Sequence, residues 1–144
     1  MTVTVKQAET EEEIADVFSV RRTVFINEQN VPETIEIDEK ENQSLHFIAY
    51  KDQRPVGAGR LRLEDKKAKA ERVCVLTSLR NTGIGAIIMN EMENKAVECG
   101  ASVMVLNAQL QALSFYSGLG YEAVSDIFYD AGIEHKTMEK QLIS

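Results

Sequence analysis

The sequence is poor in the residues that build covalent, metal and membrane frameworks. Only two of its 144 residues are cysteine, two are histidine and two are proline. Cys74 and Cys99 flank a segment that reads as strand end, turn and helix, a poor disulfide framework, so both are expected as reduced thiols in the cytoplasm. His46 and His135 show no clustered spacing with each other or with the cysteines, so no metal site is expected. Cations are outnumbered: 16 Lys+Arg stand against 23 Asp+Glu, a net charge of -7. That balance excludes a broad electrostatic grip on nucleic acid or anionic lipid, while leaving room for a local cationic pocket. No apolar run approaches the length that spans a bilayer, and "MTVTVKQAETEEE" has no basic stretch leading into an apolar one, so a soluble protein is expected. Repeats, low-complexity tracts and linkers are lacking too. Residues 1–144 therefore read as one domain, whose 44% hydrophobic residues suffice for a real core.

What is present is an alternation of short strands and amphipathic helices. "VTV" reads as a strand, and Thr10 with Glu13 forms a capping-box signature for a helix that carries Ile14, Val17, Phe18, Val24 and Phe25 near helical spacing. The stem of Arg21 can lie along that stripe, and the helix is expected to end near Glu28 to Asn30, ahead of Pro32. The acidic run from Glu33 to Glu41 reads as an ordered or semi-ordered surface loop. "LHFIAY", "VGAGRLRLE" and "AERVCVL" form an antiparallel meander. Ile84, Ile87, Ile88, Met92 and Ala96 then repeat as a helix ending at Gly100, and "SVMVLNA" follows as an apolar strand of the kind covered on both faces. This βαβ order makes Glu71–Leu76 and Ser102–Ala108 parallel neighbours. A short helix, a strand near Tyr121–Phe128, a turn at Asp130–Gly132 and a last strand from about Ile133 to Leu142 complete the chain. The expected fold class is α+β, with a mixed, mostly antiparallel sheet, one βαβ crossover and flanking helices.

The stretch "RNTGIGAIIMNEM" places Gly83 and Gly85 between a strand and a helix. Such a turn brings unpartnered helical N–H groups and the positive end of the helix dipole together, and Arg80 adds a full charge close by. The pattern suits an anion, although a tight turn alone would also use two glycines. A P-loop fails because Ala86 and Ile87 stand where Lys and Ser/Thr are required, and a dinucleotide fingerprint fails because position 88 is Ile88.

"ERVCVLTSLRNTGIGAIIMNEMENKA" resembles the cofactor segment of the GNAT N-acetyltransferase superfamily, with its Arg/Gln-x-x-Gly-x-Gly/Ala signature after an apolar strand. "LNAQLQALSFYSGLGYE" resembles that family's second motif, through Asn107, Ala112, Phe115, Tyr116, Leu119, Gly120 and Tyr121. "RRTVFINEQNVP" resembles a subgroup of small bacterial members. The resemblance implies a GNAT-like fold and acetyl-CoA as co-substrate. Its pyrophosphate would lie on the backbone from Asn81 through Thr82, Gly83, Ile84 and Gly85 to Ala86, near Arg80. Its pantetheine would lie along Val73, Cys74 and Val75 where two parallel strands splay, with Asn107 on the facing strand. It further implies N-acetyl transfer in a ternary complex to a small-molecule or peptide amine, with Tyr116 as the acid. A non-catalytic acyl-CoA-binding module and transfer to a hydroxyl are the alternatives.

The chemistry constrains the rest. A lysine-like amine with a pKa of about 10.4 is neutral roughly once in 2,500 molecules at pH 7, a penalty of about 4.6 kcal/mol, so a base or a water path is needed. Glu28, His46, Glu71 and His135 are the candidate bases, and the residues do not choose among them. Cys74 near a thioester raises covalent transfer as an option, with no adjacent histidine to activate it. The acidic run offers an amine-facing wall that would favour a cationic acceptor. A homodimer is compatible with the sequence, which does not set the oligomeric state.

Overall fold

The computed structural model describes residues 2–142. Strand β1 (Val3–Gln7) leads into helix α1 (Glu11–Arg21), whose start is set by the capping box. Thr10 Oγ1 accepts from the Glu13 N–H and Glu13 Oε1 accepts from the Thr10 N–H, each at 3.1 Å. Beyond Arg21 the helix widens into π-helical turns over Arg22–Glu28, closed by the Gln29 N–H donating to the Val24 carbonyl at 3.1 Å. The run of apolar residues predicts a helix here but not its widening, a departure of the kind that recurs at functional sites.

A single helical turn α2 (Glu33–Glu36) precedes the meander β2 (Leu45–Lys51), β3 (Arg54–Glu64) and β4 (Lys67–Val75). Helix α3 (Ile84–Glu98) crosses over to β5 (Val103–Gln109), and α4 (Leu113–Gly118), β6 (Glu122–Ala123), β7 (Phe128–Asp130) and β8 (Ile133–Gln141) follow. Strand order in the sheet is β1-β2-β3-β4-β5-β8-β6, with β7 pairing β8. Every pairing is antiparallel except β4 with β5. The fold is thus the expected mixed α+β arrangement. Helix α3 ends in a Schellman motif, the Gly100 N–H donating to Val97 O at 3.0 Å and the Ala101 N–H to Ala96 O at 2.9 Å, with Gly100 at φ 93°.

The two faces of the sheet carry different helices. Val17, Val20 and Val24 of the first helical segment bury against Ile48, Ala58 and Cys74. Ile84, Ile88, Met89, Met92 and Ala96 of α3 bury against Phe47, Ala49, Leu61, Met104 and Leu106 on the other side. Strand β2 reads as a nearly continuous apolar run for this reason: Ile48 faces α1 while Phe47 and Ala49 face α3.

Three expectations need correction. The parallel pairing involves Lys67–Ala70 with Val103–Leu106, not Glu71–Leu76. A bulge intervenes: Ala58 pairs Cys74 and Arg60 pairs Glu71, so β4 has one residue more than β3, and Arg72 takes φ 55°. Strand β5 is buried on one face only, through Met104, Leu106 and Ala108, while Asn107 on the other face is exposed. The strand expected over Tyr121–Phe128 is two short ones, β6 and β7, because Val124–Ile127 leaves the ladder before rejoining β8.

Candidate active site

The bulge at Arg72 opens a cleft. From Glu71 to Val75, β4 keeps its β3 partner but has none on the β5 side. The gap is lined on one wall by Glu71, Val73, Cys74 and Val75 and on the other by Val105, Asn107 and Ala108. It encloses about 1020 Å³, enough for an extended cofactor arm and a small acceptor together. Phe25 and Gln29, turned inward by the π-helical segment, form its roof. Gln29 Oε1 accepts from Gln109 Nε2 at 3.0 Å, tying that roof to β5.

At the far end of β4 the chain makes the glycine turn. Gly83 is the N-cap of α3 with φ 92°, a left-handed conformation that side chains oppose. The first helical bond of α3 runs from the Ile87 N–H to the Gly83 carbonyl at 3.2 Å, so the N–H groups of Ile84, Gly85 and Ala86 precede the intrahelical ladder. Gly85 serves a different purpose: a Cβ there would stand 3.1 Å from Phe115 Cζ. The two sequence motifs therefore touch. Gly85→Val is expected to push Phe115 aside and move Tyr116 with it, lowering turnover while leaving the secondary structure seen by circular dichroism intact.

The structure brings together Val73, Cys74, Val75, Arg80, Asn81, Gly83, Gly85, Asn107 and Tyr116 around this cleft. Thr82, Ile84 and Ala86 are not among its lining residues. Thr82 Oγ1 donates to Leu79 O, the Ile84 side chain is buried against the sheet, and Ala86 stands within the first turn of α3. Arg80 does not point its charge freely at the turn: its guanidinium forks onto Glu28 at 2.6 and 2.8 Å while Nε donates to Val75 O at 3.0 Å. Asn107 Oδ1 accepts from Thr137 Oγ1 at 2.9 Å.

Tyr116 is buried, packed edge-on against Phe115 at 4.9 Å and Tyr121 at 5.9 Å between ring centroids. Its hydroxyl has no protein hydrogen-bond partner among the described residues, unlike Tyr121, which donates to Glu93 at 2.7 Å. Burial, and then the neighbouring Cys74, push the Tyr116 phenol above its ordinary range. Burial likewise pushes the Cys74 thiol up to about 12, so it stays protonated at neutral pH and is a poor nucleophile. Cys99 is exposed. A thiol reagent is expected to label one cysteine in the native protein and both after unfolding; rapid native labelling of two would contradict the burial of Cys74.

A family model described as an acetyltransferase (GNAT) domain matches residues 5–142. The chain belongs to the GNAT acetyltransferase family. It is 51% identical over 134 residues to the uncharacterized N-acetyltransferase YjcF of Bacillus subtilis strain 168, a match covering 92% of this chain and 96% of that protein. Among solved structures it superposes on Escherichia coli ElaA with a TM-score of 0.85 at 20% identity, covering 97% of this chain and 100% of that one. It also superposes on a GNAT family acetyltransferase from Elizabethkingia anophelis with acetyl-CoA bound, with a TM-score of 0.74 at 13% identity, covering 96% and 97%. These two likenesses concern the fold.

In this GNAT chain the four base candidates occupy very different places. His46 lies outside the cleft lining, its Nε2 2.9 Å from Glu41 O and its buried Nδ1 without a partner. Burial pushes its pKa down. Glu28 is outside the lining too, held below the usual carboxylate range by hydrogen bonds from Arg80 and Thr77. Glu71 lines the cleft but accepts from Arg60 at 2.9 Å and Arg62 at 2.6 Å. Burial raises its pKa, and the two arginines overcome that to hold it low, which makes a weak base. His135 lines the cleft opposite Gln109. Its Nδ1 lies 2.7 Å from Ile133 O, an acceptor only, so Nδ1 carries the proton and Nε2 keeps a free lone pair when the ring is neutral.

The acidic run is not a solvated loop. Arg21, fully buried, forks onto Glu36 at 2.7 Å and onto Glu41 at 2.8 Å. Arg60 binds Asp38 at 2.8 Å and Glu41 at 2.9 Å. The alternation of β3 puts Arg60 and Arg62 on one face, a period-two signal visible in "GRLRLE", yet Arg60 finds Asp38 and Glu41 in a distant segment and Arg62 finds Glu71 across the strand pair. Sequence reasoning accordingly missed Arg60, Arg62 and Arg72; it laid the Arg21 stem along the apolar stripe, where its guanidinium carbon stands 4.9 Å over the Phe18 ring, but did not foresee the carboxylates that hold its head.

Proposed function

We propose that this protein transfers the acetyl group of acetyl-CoA directly to an amine in a ternary complex, working in the cytoplasm, where Cys74 and Cys99 remain thiols. The observation that carries the reading is the stretch Glu71–Val75, which lacks a strand partner on the cleft side and leads into the N-terminus of α3. A strand with a free edge can pair with an amide-bearing chain, and unpartnered helical N–H groups can hold a pyrophosphate. The residues present therefore fit acetyl-CoA, and the acetyl-CoA-bound neighbour of the same fold supports that choice. When bound it supplies an activated acetyl thioester; everything else falls to the side chains.

Tyr116 donates a hydrogen bond to the sulfur as the carbon–sulfur bond breaks. A cysteine-like thiol has a pKa of about 8.5 and an unperturbed phenol about 10, and burial raises the latter further, so full proton transfer is uphill and stabilisation by the hydrogen bond is the larger part. His135 takes the amine proton through Nε2, directly or through a water. Cys74 stays a protonated wall residue, which favours direct transfer over a covalent intermediate.

The test is release of free CoA with a panel of amines, with mass spectrometry to separate amide from ester products. His135→Gln is expected to lower kcat/KM by about 10²-fold without changing acetyl-CoA affinity. Acetyl-CoA binding with no CoA release for any acceptor would instead favour a non-catalytic module.

A further inference from the structure

On the β3–β4 side of the cleft, five carboxylates are taken up by arginines. Glu36 and Glu41 are held by Arg21, Asp38 by Arg60, Glu71 by Arg60 and Arg62, and Glu64 by Arg62 at 2.9 Å. What remains is positive. Arg72 lines the cleft and is partly exposed; its closer hydrogen bonds go to the carbonyls of Glu36 at 3.1 Å and Ile35 at 3.2 Å, and its nearest carboxylate contact is Asp38 at 3.4 Å. Lys69 lines it with only a 3.5 Å exposed contact to Glu64. Lys40 lines it with no carboxylate partner among the described residues. Lys69 stands early in β4, Arg72 at its bulge and Lys40 in the loop before β2, while the glycine turn lies beyond the end of β4 at Val75, roughly 10 Å past Arg72. At about 3.3 Å per residue, Lys69 is roughly 20 Å along the strand from Val75, too far to share one pyrophosphate with the turn. The opposite rim carries the reverse charge: Asp130 lines the cleft at the β7–β8 turn, on the same side as His135.

Resting on N-acetyl transfer as the reaction, we propose that the acceptor is an amine that also bears an anionic oxygen group, a carboxylate or a phosphate. Lys40, Lys69 and Arg72 hold the anion, while the amine faces the His135 and Asp130 side. The acidic run thus does the opposite of what its composition suggests: Glu36, Asp38 and Glu41 are neutralised inward, and the wall they build is cationic in a chain whose net charge is -7. Against that net-negative background, a cationic wall concentrates anions at the site.

Matched amines test this: ethanolamine against O-phosphoethanolamine, putrescine against 4-aminobutyrate, and an amino sugar against its phosphate ester. The anionic member is expected to show a kcat/KM at least about tenfold higher, and Arg72→Gln or Lys69→Gln should bring that ratio within about twofold. The phosphate and carboxylate pairs show which anion is preferred. Folding of each variant is followed by acetyl-CoA binding. Equal rates within pairs, or preference for putrescine, would overturn the proposal. If no amine releases CoA, N-acetyl transfer itself fails. Calorimetry of O-phosphoethanolamine and ethanolamine with CoA-saturated protein then decides the anion site: selective binding lost in Arg72→Gln upholds it, and equal binding ends it.

Discussion

Arg21→Met is expected to destabilise the fold by about 3–5 kcal/mol, because it leaves the carboxylate of Glu36 buried with its main partner gone. Glu36 is 1% exposed and Arg21 is not exposed at all, so neither charge can recover its hydration without opening the loop. For a domain of ordinary marginal stability this is a large fraction of the total. Urea denaturation at neutral pH measures it, and the Arg21→Met/Glu36→Leu pair should recover much of the loss, since it removes the stranded charge as well. Acid provides a second readout. Burial pushes Glu41 and Asp38 up, but hydrogen bonds and charge from Arg21 and Arg60 outweigh it and hold both at about 2. Folded-state values below the ordinary ones of 4.5 and 3.8 mean that the stabilisation is complete above the upper figure and lost as pH falls toward 2. Unfolding free energy should therefore decline through that window, and decline less in Arg21→Met, where Glu41 has already lost its principal partner. An unchanged acid dependence in the variant would disconnect Arg21 from Glu41.

Tyr116→Phe is expected to lower kcat by about 10²-fold or more while acetyl-CoA affinity stays within about twofold. The substitution removes one oxygen and keeps the ring, so the edge-on packing with Phe115 and Tyr121 survives. Because the hydroxyl makes no hydrogen bond to the protein among the described residues, the folded state loses little with it. A structural role would predict the reverse, with lowered thermal stability and retained turnover. Stopped assays of CoA release, paired with calorimetry of acetyl-CoA binding, separate the two. Turnover equal to that of the parent protein would remove Tyr116 from the chemistry.

Much of this architecture is local and therefore legible along the chain. Thr10 and Glu13 form the capping box that their spacing predicts, Gly83 takes the left-handed turn and Gly100 the helix end, and Ala131-Gly132 closes the last hairpin with φ of 53° and 76°. These devices act over one helical turn or one hairpin, so residue type and spacing are enough to predict them. Family resemblance works in the same way, because its two motifs are contiguous runs. It led to the family that the comparison establishes.

The tertiary structure decided whatever depends on partners far apart in sequence. The bulge at Arg72 has no sequence signal, since it appears only when β4 is laid against β3, yet it sets where the parallel strands part and hence where the cleft opens. Gly85 reads as a phosphate residue from its own segment, and only the packing of α4 shows that Phe115 needs its missing side chain. The surroundings of the candidate bases are likewise tertiary: the backbone carbonyl of Ile133 sets the tautomer of His135, and Arg60 and Arg62 neutralise Glu71. The acidic segment shows the division most plainly: its composition is written in the sequence, but the sign of the wall it builds is not. Charge adds locally along a chain, whereas neutralisation requires contact, and Arg21 and Arg60 reach those carboxylates only once α1 and β3 have folded against the loop between them.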